Sequence, residues 1–170
     1  MSKFDSQTHV VLASSSPFRR QLLNQLAIKF ESIAPGIDES ALPGESPEAL
    51  VRRLAIAKAK AVLGQCPRKL IIGSDQVAKH GNQPVGKPKN YDEAVAQLLA
   101  SSGKTVTLYT GIALLNANNG NLQSDVISYQ VRFRMLTKEV IKRYLNKEQP
   151  YGCCGSLRAD GLGIALLDQL

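Results

Sequence analysis

Leu70-Ile71-Ile72-Gly73-Ser74-Asp75-Gln76-Val77 is the stretch on which the reading of this chain turns. Leu70 to Ile72 is a short apolar run dominated by β-branched residues, the pattern of a strand buried on both faces. A glycine, a serine and a carboxylate follow at once. In open α/β sheets ligands collect beyond the carboxyl ends of the strands, which is where Asp75 would stand. The plain alternative is that Asp75 only turns the chain after Gly73, as Ser-Asp pairs do. The flanking sequence decides between them.

Immediately upstream, Ser46-Pro47-Glu48 opens a helix that runs to about Cys66. Its apolar face takes in Leu50, Val51, Leu54, Ala55, Ala61 and Val62. Lys58 stands four residues after Leu54 and four before Val62, so it shares that face. Such a lysine either snorkels outward along its stem or needs an anion partner. Asp75 on the next strand supplies an anion, which favours the second reading.

Further upstream, His9 to Ala13 reads as the first strand. In Ser14-Ser15-Ser16-Pro17-Phe18-Arg19-Arg20, Ser16 is a natural N-cap and Pro17 a natural first helical residue. Leu22, Leu23 and Leu26 predict a buried stripe on that helix. A helix N-terminus offers free N–H groups and the positive dipole end, a ready anion site. Arg19 and Arg20 run against the dipole there, at roughly 0.3–1 kcal/mol each, unless an anion neutralises them. Two solvated arginines are the competing reading. Phe30 to Ile33 predicts the second strand, and the loop Pro35-Gly36-Ile37-Asp38-Glu39 brings two carboxylates, one of which could turn inward to a cation.

Downstream, Lys79 to Pro84 predicts a polar turn, followed by Val85-Gly86-Lys87-Pro88, where Gly86 permits close backbone approach and Lys87 is held between glycine and proline. No G-x-x-x-x-G-K-[ST] loop occurs. Tyr91 to Ala100 predicts a helix with Asp92 and Glu93 in its first turn. Thr105 to Leu115 and Leu122 to Met135 are the longest strand signals, and Asn119-Gly120 between them predicts a type I′ hairpin turn. Ile127, Tyr129, Val131, Phe133 and Met135 alternate with polar residues and predict the buried face of that second strand. Thr137 caps a last helix to about Asn146. Gly152 to Gly163, carrying Arg158 and Asp160, predicts a flexible segment, and Ile164 to Leu170 a closing strand. The whole describes one α/β domain over residues 1–170: a mixed sheet with a long antiparallel hairpin and flanking helices.

The chain has 170 residues, 44% hydrophobic and 21% charged, an ordinary globular composition. Its 21 Lys+Arg against 14 Asp+Glu leave +7, a surplus that attracts polyanions or a small phosphorylated ligand. The basic residues are spread rather than clustered, which argues against nucleic acid. No apolar run reaches the roughly 18 residues of a membrane span, and Met1 to His9 carries no signal-length apolar core. Three cysteines, two adjacent (Cys153 and Cys154), form neither a disulfide framework nor a metal-ligand spacing, which predicts a reducing cytoplasm.

Leu12-Ala13-Ser14-Ser15-Ser16-Pro17-Phe18-Arg19-Arg20 resembles the opening signature of the Maf-type nucleoside triphosphate pyrophosphatases. So do Ile37-Asp38-Glu39, Ala57-Lys58-Ala59, Gly73-Ser74-Asp75, Gly86-Lys87-Pro88, Thr110-Gly111, and Gly155-Ser156 followed by Gly161-Leu162-Gly163. The motifs run in the family's order from about residue 10 onward. The resemblance implies a fold similar to that of Maf and inosine triphosphatase proteins and an activity that removes diphosphate from a nucleoside triphosphate. It also implies a divalent cation such as Mg or Mn, a homodimer and a cytoplasmic location. Asp75 matches the family's general base. Ser14, Arg19, Lys58 and Lys87 would hold the phosphates, and Glu39 and Asp75 the metal.

Phe18, Gln76 and Asp160 resemble the base-selecting positions of the subgroup acting on 7-methyl-GTP, where tryptophan stands for Phe18 and glutamate for Asp160. The subgroup acting on dTTP and UTP carries arginine, threonine and glutamine there. The family pattern further implies a Gly-Leu-Pro turn and a terminal helix beyond the last strand, which this sequence does not contain. A third possibility is a non-catalytic nucleotide-binding regulator of septum formation.

Overall fold

The computed structural model describes residues 9–81 and 83–169. In chain order the elements are β1 (Val10–Ala13), α1 (Pro17–Gln25), β2 (Phe30–Ile33), α2 (Pro47–Ala61), β3 (Leu70–His80), β4 (Gln83–Val85), α3 (Tyr91–Ser101), β5 (Thr105–Asn116), β6 (Leu122–Phe133), α4 (Lys138–Glu148) and β7 (Leu167–Gln169). Short 3₁₀ turns occupy Leu63–Gln65, Cys154–Ser156 and Leu162–Leu166. The strands are ordered β2-β1-β3-β5-β6-β7, with β4 on β3. β1 is parallel to both β2 and β3, whereas β4 on β3 and β7 on β6 are antiparallel. This is the expected mixed sheet.

Contacts divide the chain into two compact units. One comprises the chain up to Asp75 together with Thr110–Val126; the other comprises Gln76–Tyr109 and the chain from Ile127 onward. Each has its own apolar core. In the first, Val11 and Ala13 of β1, Ile71 of β3 and Ala113 and Leu115 of β5 pack with Ala55, Ala59 and Val62. In the second, Leu98, Val131, Phe133, Ile141, Leu145 and Leu166 are at the centre.

The helix starts follow their caps. Ser16 Oγ accepts from Arg19 N, Ser46 Oγ from Ala49 N, Asn90 Oδ1 from Glu93 N and Thr137 Oγ1 from Val140 N. Gly73 sets the spacing of the first unit. A methyl group there would collide with the Ala55 carbonyl oxygen, so only glycine lets β3 lie this close to α2.

Several expectations are corrected. α1 buries none of its residues: Leu22 is 54% and Leu26 65% exposed. On β6 only Val131 and Phe133 are buried, while Ile127 and Tyr129 are exposed, as is Met135 beyond the strand's end at Phe133. In both cases the apolar spacing is present, but whether a face is covered depends on its neighbours. On α2, Ala61 is exposed and Ala59 buried. The turn expected over Lys79 to Pro84 is shorter: Lys79–His80 and Gln83–Pro84 are strand, with Ala78 paired to Val85 and His80 to Gln83, and Gly81 is a turn residue. Ladder bonds are made by backbone, so polar side chains do not prevent them, and Pro84 sits on an outer strand as prolines must.

The Asn119-Gly120 turn is not type I′, since only Gly120 has positive φ. The loop is longer and closes through Gly120 N to Asn116 O. Ile164 to Leu166 is 3₁₀ turn, so the closing strand begins only at Leu167; Leu170 and the stretch before His9 lie outside the described residues.

Candidate functional site

In the first unit β1 and β3 run parallel in register, Ala13 beside Gly73. Ser14 leaves the carboxyl end of β1, but β3 runs on to His80, so Ser74-Asp75 do not end a strand as expected: they lie within β3, just past its last parallel pair with β1. Ser14 is buried. Its Oγ accepts from Ser16 N at 3.1 Å and its carbonyl from Ser32 Oγ at 2.9 Å, which shapes the turn into α1.

Lys58 is only 3% exposed and Asp75 7%. Lys58 Nζ donates to Asp75 Oδ1 at 2.6 Å and lies 2.9 Å from Glu39 Oε1. The anion reading of Lys58 is therefore the correct one. It follows from Gly73: Ala55 packs on that glycine, and Lys58 comes one turn later on α2 as Asp75 comes two residues later on β3. Arg19 Nη2 is 4.0 Å from the same Asp75 oxygen, which answers the helix-start mismatch, while Arg20 is exposed. Of the two loop carboxylates, Glu39 is the one that meets the cation. Asp38 instead turns to Ser40, whose hydroxyl first and backbone N–H second hold its carboxyl below the ordinary value. Phe18 occupies the first turn of α1 and is half-buried.

The donor set fits a hard divalent ion. Glu39 and Asp75 reach a single ammonium, so their oxygens could equally converge on one cation. Among the described residues no group of three or more His, Cys, Asp or Glu is positioned for a metal. Two carboxylates completed by substrate phosphates is the manner in which Mg is usually held.

Gln76, Lys87 and Asp160 belong to the second unit. Gln76 and Lys87 are exposed. The loop carrying Lys87 is fixed through Gly86, whose carbonyl accepts from Gly155 N at 3.0 Å and from Gln97 Nε2 at 3.4 Å. Gln97 Oε1 in turn accepts from the fully buried Ser156 Oγ at 2.6 Å. Two motifs far apart in sequence are thereby tied to α3. Cys154 donates its thiol hydrogen to Gln76 O at 2.7 Å.

The segment Gly152 to Gly163, expected to be flexible, is anchored on α4. Tyr144 Oη donates to Ser156 O and accepts from Arg158 N. Glu148 accepts from Arg158 Nη1 at 2.7 Å and from Leu162 N at 2.6 Å. Asp160 Oδ1 is 3.5 Å from Arg158 Nε. Gln97, Tyr144 and Glu148 carry no motif. Glu148 did leave a signal, because a carboxylate in the last turn of a helix opposes its dipole and calls for a compensating partner.

A mixed sheet with a buried lysine–carboxylate cluster just past the parallel pairing of β1 and β3 defines an α/β protein. Its fold is shared with the Staphylococcus aureus Ham1 protein (TM-score 0.51, 15% identity, 74% of this chain and 72% of that one). The chain belongs to the family described as Maf-like protein, whose model matches residues 9–170. It is 53% identical over 161 residues to the 7-methyl-GTP pyrophosphatase of Nitrosococcus oceani, covering 95% of this chain and 81% of the relative. It is 49% identical over 161 residues to the protein of the same name from Vibrio vulnificus, covering 95% and 82%.

Proposed function

We propose that this protein is a nucleoside triphosphate pyrophosphatase that hydrolyses 7-methyl-GTP to 7-methyl-GMP and diphosphate. The observation that carries the reading is the buried Lys58–Asp75 pair with Glu39 beside it, in a chain about half identical to relatives named for this activity. Those names favour 7-methyl-GTP over the dTTP and UTP alternative.

Water adds across the anhydride between the α- and β-phosphates. Lys58 and Arg19 both meet Asp75 Oδ1, which leaves Oδ2 to accept the water proton. Ser14, Arg19, Lys58 and Lys87 bind phosphate oxygens, whose charge grows in the transition state and is offset by fixed cations. Glu39 and Asp75 would hold a divalent cation such as Mg or Mn, which when bound supplies further charge neutralisation at the phosphates. Methylation at guanine N7 leaves the ring system cationic. Phe18 offers it an aromatic face, worth roughly 0.5–2 kcal/mol depending on desolvation. Asp160 offers a carboxylate and Gln76 an amide for the polar edge.

A cytoplasmic location and a homodimer complete the proposal. None of the three cysteines forms a disulfide, and among the described residues no helix is long and apolar enough to cross a membrane. Sedimentation of the purified chain tests the dimer. The activity is tested by diphosphate release from 7-methyl-GTP, GTP, dTTP and UTP, with and without divalent metal. A metal-dependent preference for 7-methyl-GTP is expected, and a preference for dTTP or UTP overturns the substrate assignment.

A further inference from the structure

Glu148, Arg158 and Asp160 form a chain of alternating charge. Glu148 is the last residue of α4, and its side chain is only 6% exposed. One of its oxygens takes Arg158 Nη1 at 2.7 Å and the other takes Leu162 N at 2.6 Å. The loop wraps this carboxylate so tightly that a methyl group at Gly161 would lie 2.8 Å from Glu148 Oε2. On its far side Arg158 presents Nε to Asp160 Oδ1 at 3.5 Å, and Asp160 is 49% exposed.

The charge count has a consequence for a cationic base. Arg158 and Asp160 alone sum to zero, and a guanidinium this close to Asp160 offsets part of the carboxylate's attraction for a positively charged ring. Glu148 cancels Arg158 from the buried side, leaving the group with one net negative charge next to the exposed carboxylate. Building on the 7-methyl-GTP reading above, we propose that Glu148 is a positioning residue for base selection: by neutralising Arg158 it lets Asp160 act on the methylated ring as an uncompensated anion. A neutral guanine can donate hydrogen bonds to the carboxylate but lacks the positive ring charge that the methylated base adds, so Glu148 acts on the preference rather than on phosphate chemistry.

The test measures kcat/KM for 7-methyl-GTP and GTP and reads their ratio, with melting temperatures alongside. Glu148→Gln keeps the shape and removes one charge; the ratio is expected to fall about tenfold, as the loss of Glu148's offset to a guanidinium within a few ångströms of Asp160 warrants. Glu148→Asp keeps the charge and should retain the ratio. Glu148→Gln/Arg158→Gln removes both charges, restores the single net negative one, and should recover the ratio. A merely mechanical anchor predicts the reverse, with the double variant at or below the single. The inference is overturned if wild type prefers 7-methyl-GTP and Glu148→Gln leaves the ratio unmoved, or if the double variant fails to recover it. Should Glu148→Gln melt below the assay temperature, the other two variants decide: both must keep the wild-type ratio. A wild type without preference overturns the substrate assignment itself, which separates the two failures.

Discussion

Lys58 Nζ and Asp75 Oδ1 stand 2.6 Å apart in an almost fully buried pair, the lysine delivered by α2 and the aspartate by β3. Removing one member of such a pair strands the other as an uncompensated buried charge, which costs about 3–5 kcal/mol. Arg19, 4.0 Å away, relieves part of this. Lys58→Met is therefore expected to destabilise the protein by about 3 kcal/mol in urea denaturation, with Lys58→Met/Asp75→Asn recovering most of the loss. Wild-type stability in the single variant would show that the pair does not hold the native charge balance.

Asp75→Asn keeps the shape of the side chain and removes the proton acceptor. Turnover should fall at least about 10²-fold, the ordinary scale of general-base catalysis. Lys58 retains Glu39, so the circular dichroism spectrum should not change. Near-full activity in this variant assigns the base elsewhere.

Gly73→Ala places a methyl group against the Ala55 carbonyl, which is backbone and cannot swing aside. Separating α2 from β3 costs about 1–3 kcal/mol as overpacking and shifts Lys58 relative to Asp75. A lowered melting temperature is expected together with reduced turnover. A variant as stable and active as wild type would contradict the close approach.

His80 gives a pH prediction. Ser101 Oγ donates to Gln97 O, so at 2.8 Å it accepts from His80 Nε2. Burial, aided by the Lys104 charge, holds the imidazole below its ordinary value of 6.5. With the folded value depressed, the unfolded chain binds the proton first on acidification. The contribution of His80 is thus present above pH 6.5 and is lost as pH falls through the folded value. The drop in melting temperature between neutral and mildly acidic pH should be smaller in His80→Gln than in wild type. Equal drops would place the acid sensitivity on other groups.

By itself the sequence determined whatever depends on local chemistry and on spacing along one element. Ser16, Ser46 and Thr137 announce their helices because a side-chain oxygen three residues before an unpaired N–H can reach it. The apolar run at Leu70 announces the central strand, and the inward place of Lys58 follows from the helical repeat. Tertiary structure alone decided which faces are covered and which charges meet. Leu22 and Leu26, one helical turn apart, lie in the open despite their apolar spacing, because burial belongs to the neighbour and not to the helix. Glu39 rather than Asp38 reaches Lys58, and Glu148 rather than solvent neutralises Arg158, because those choices hang on distances between segments far apart in the chain. Local preference carries no information about such distances; packing does.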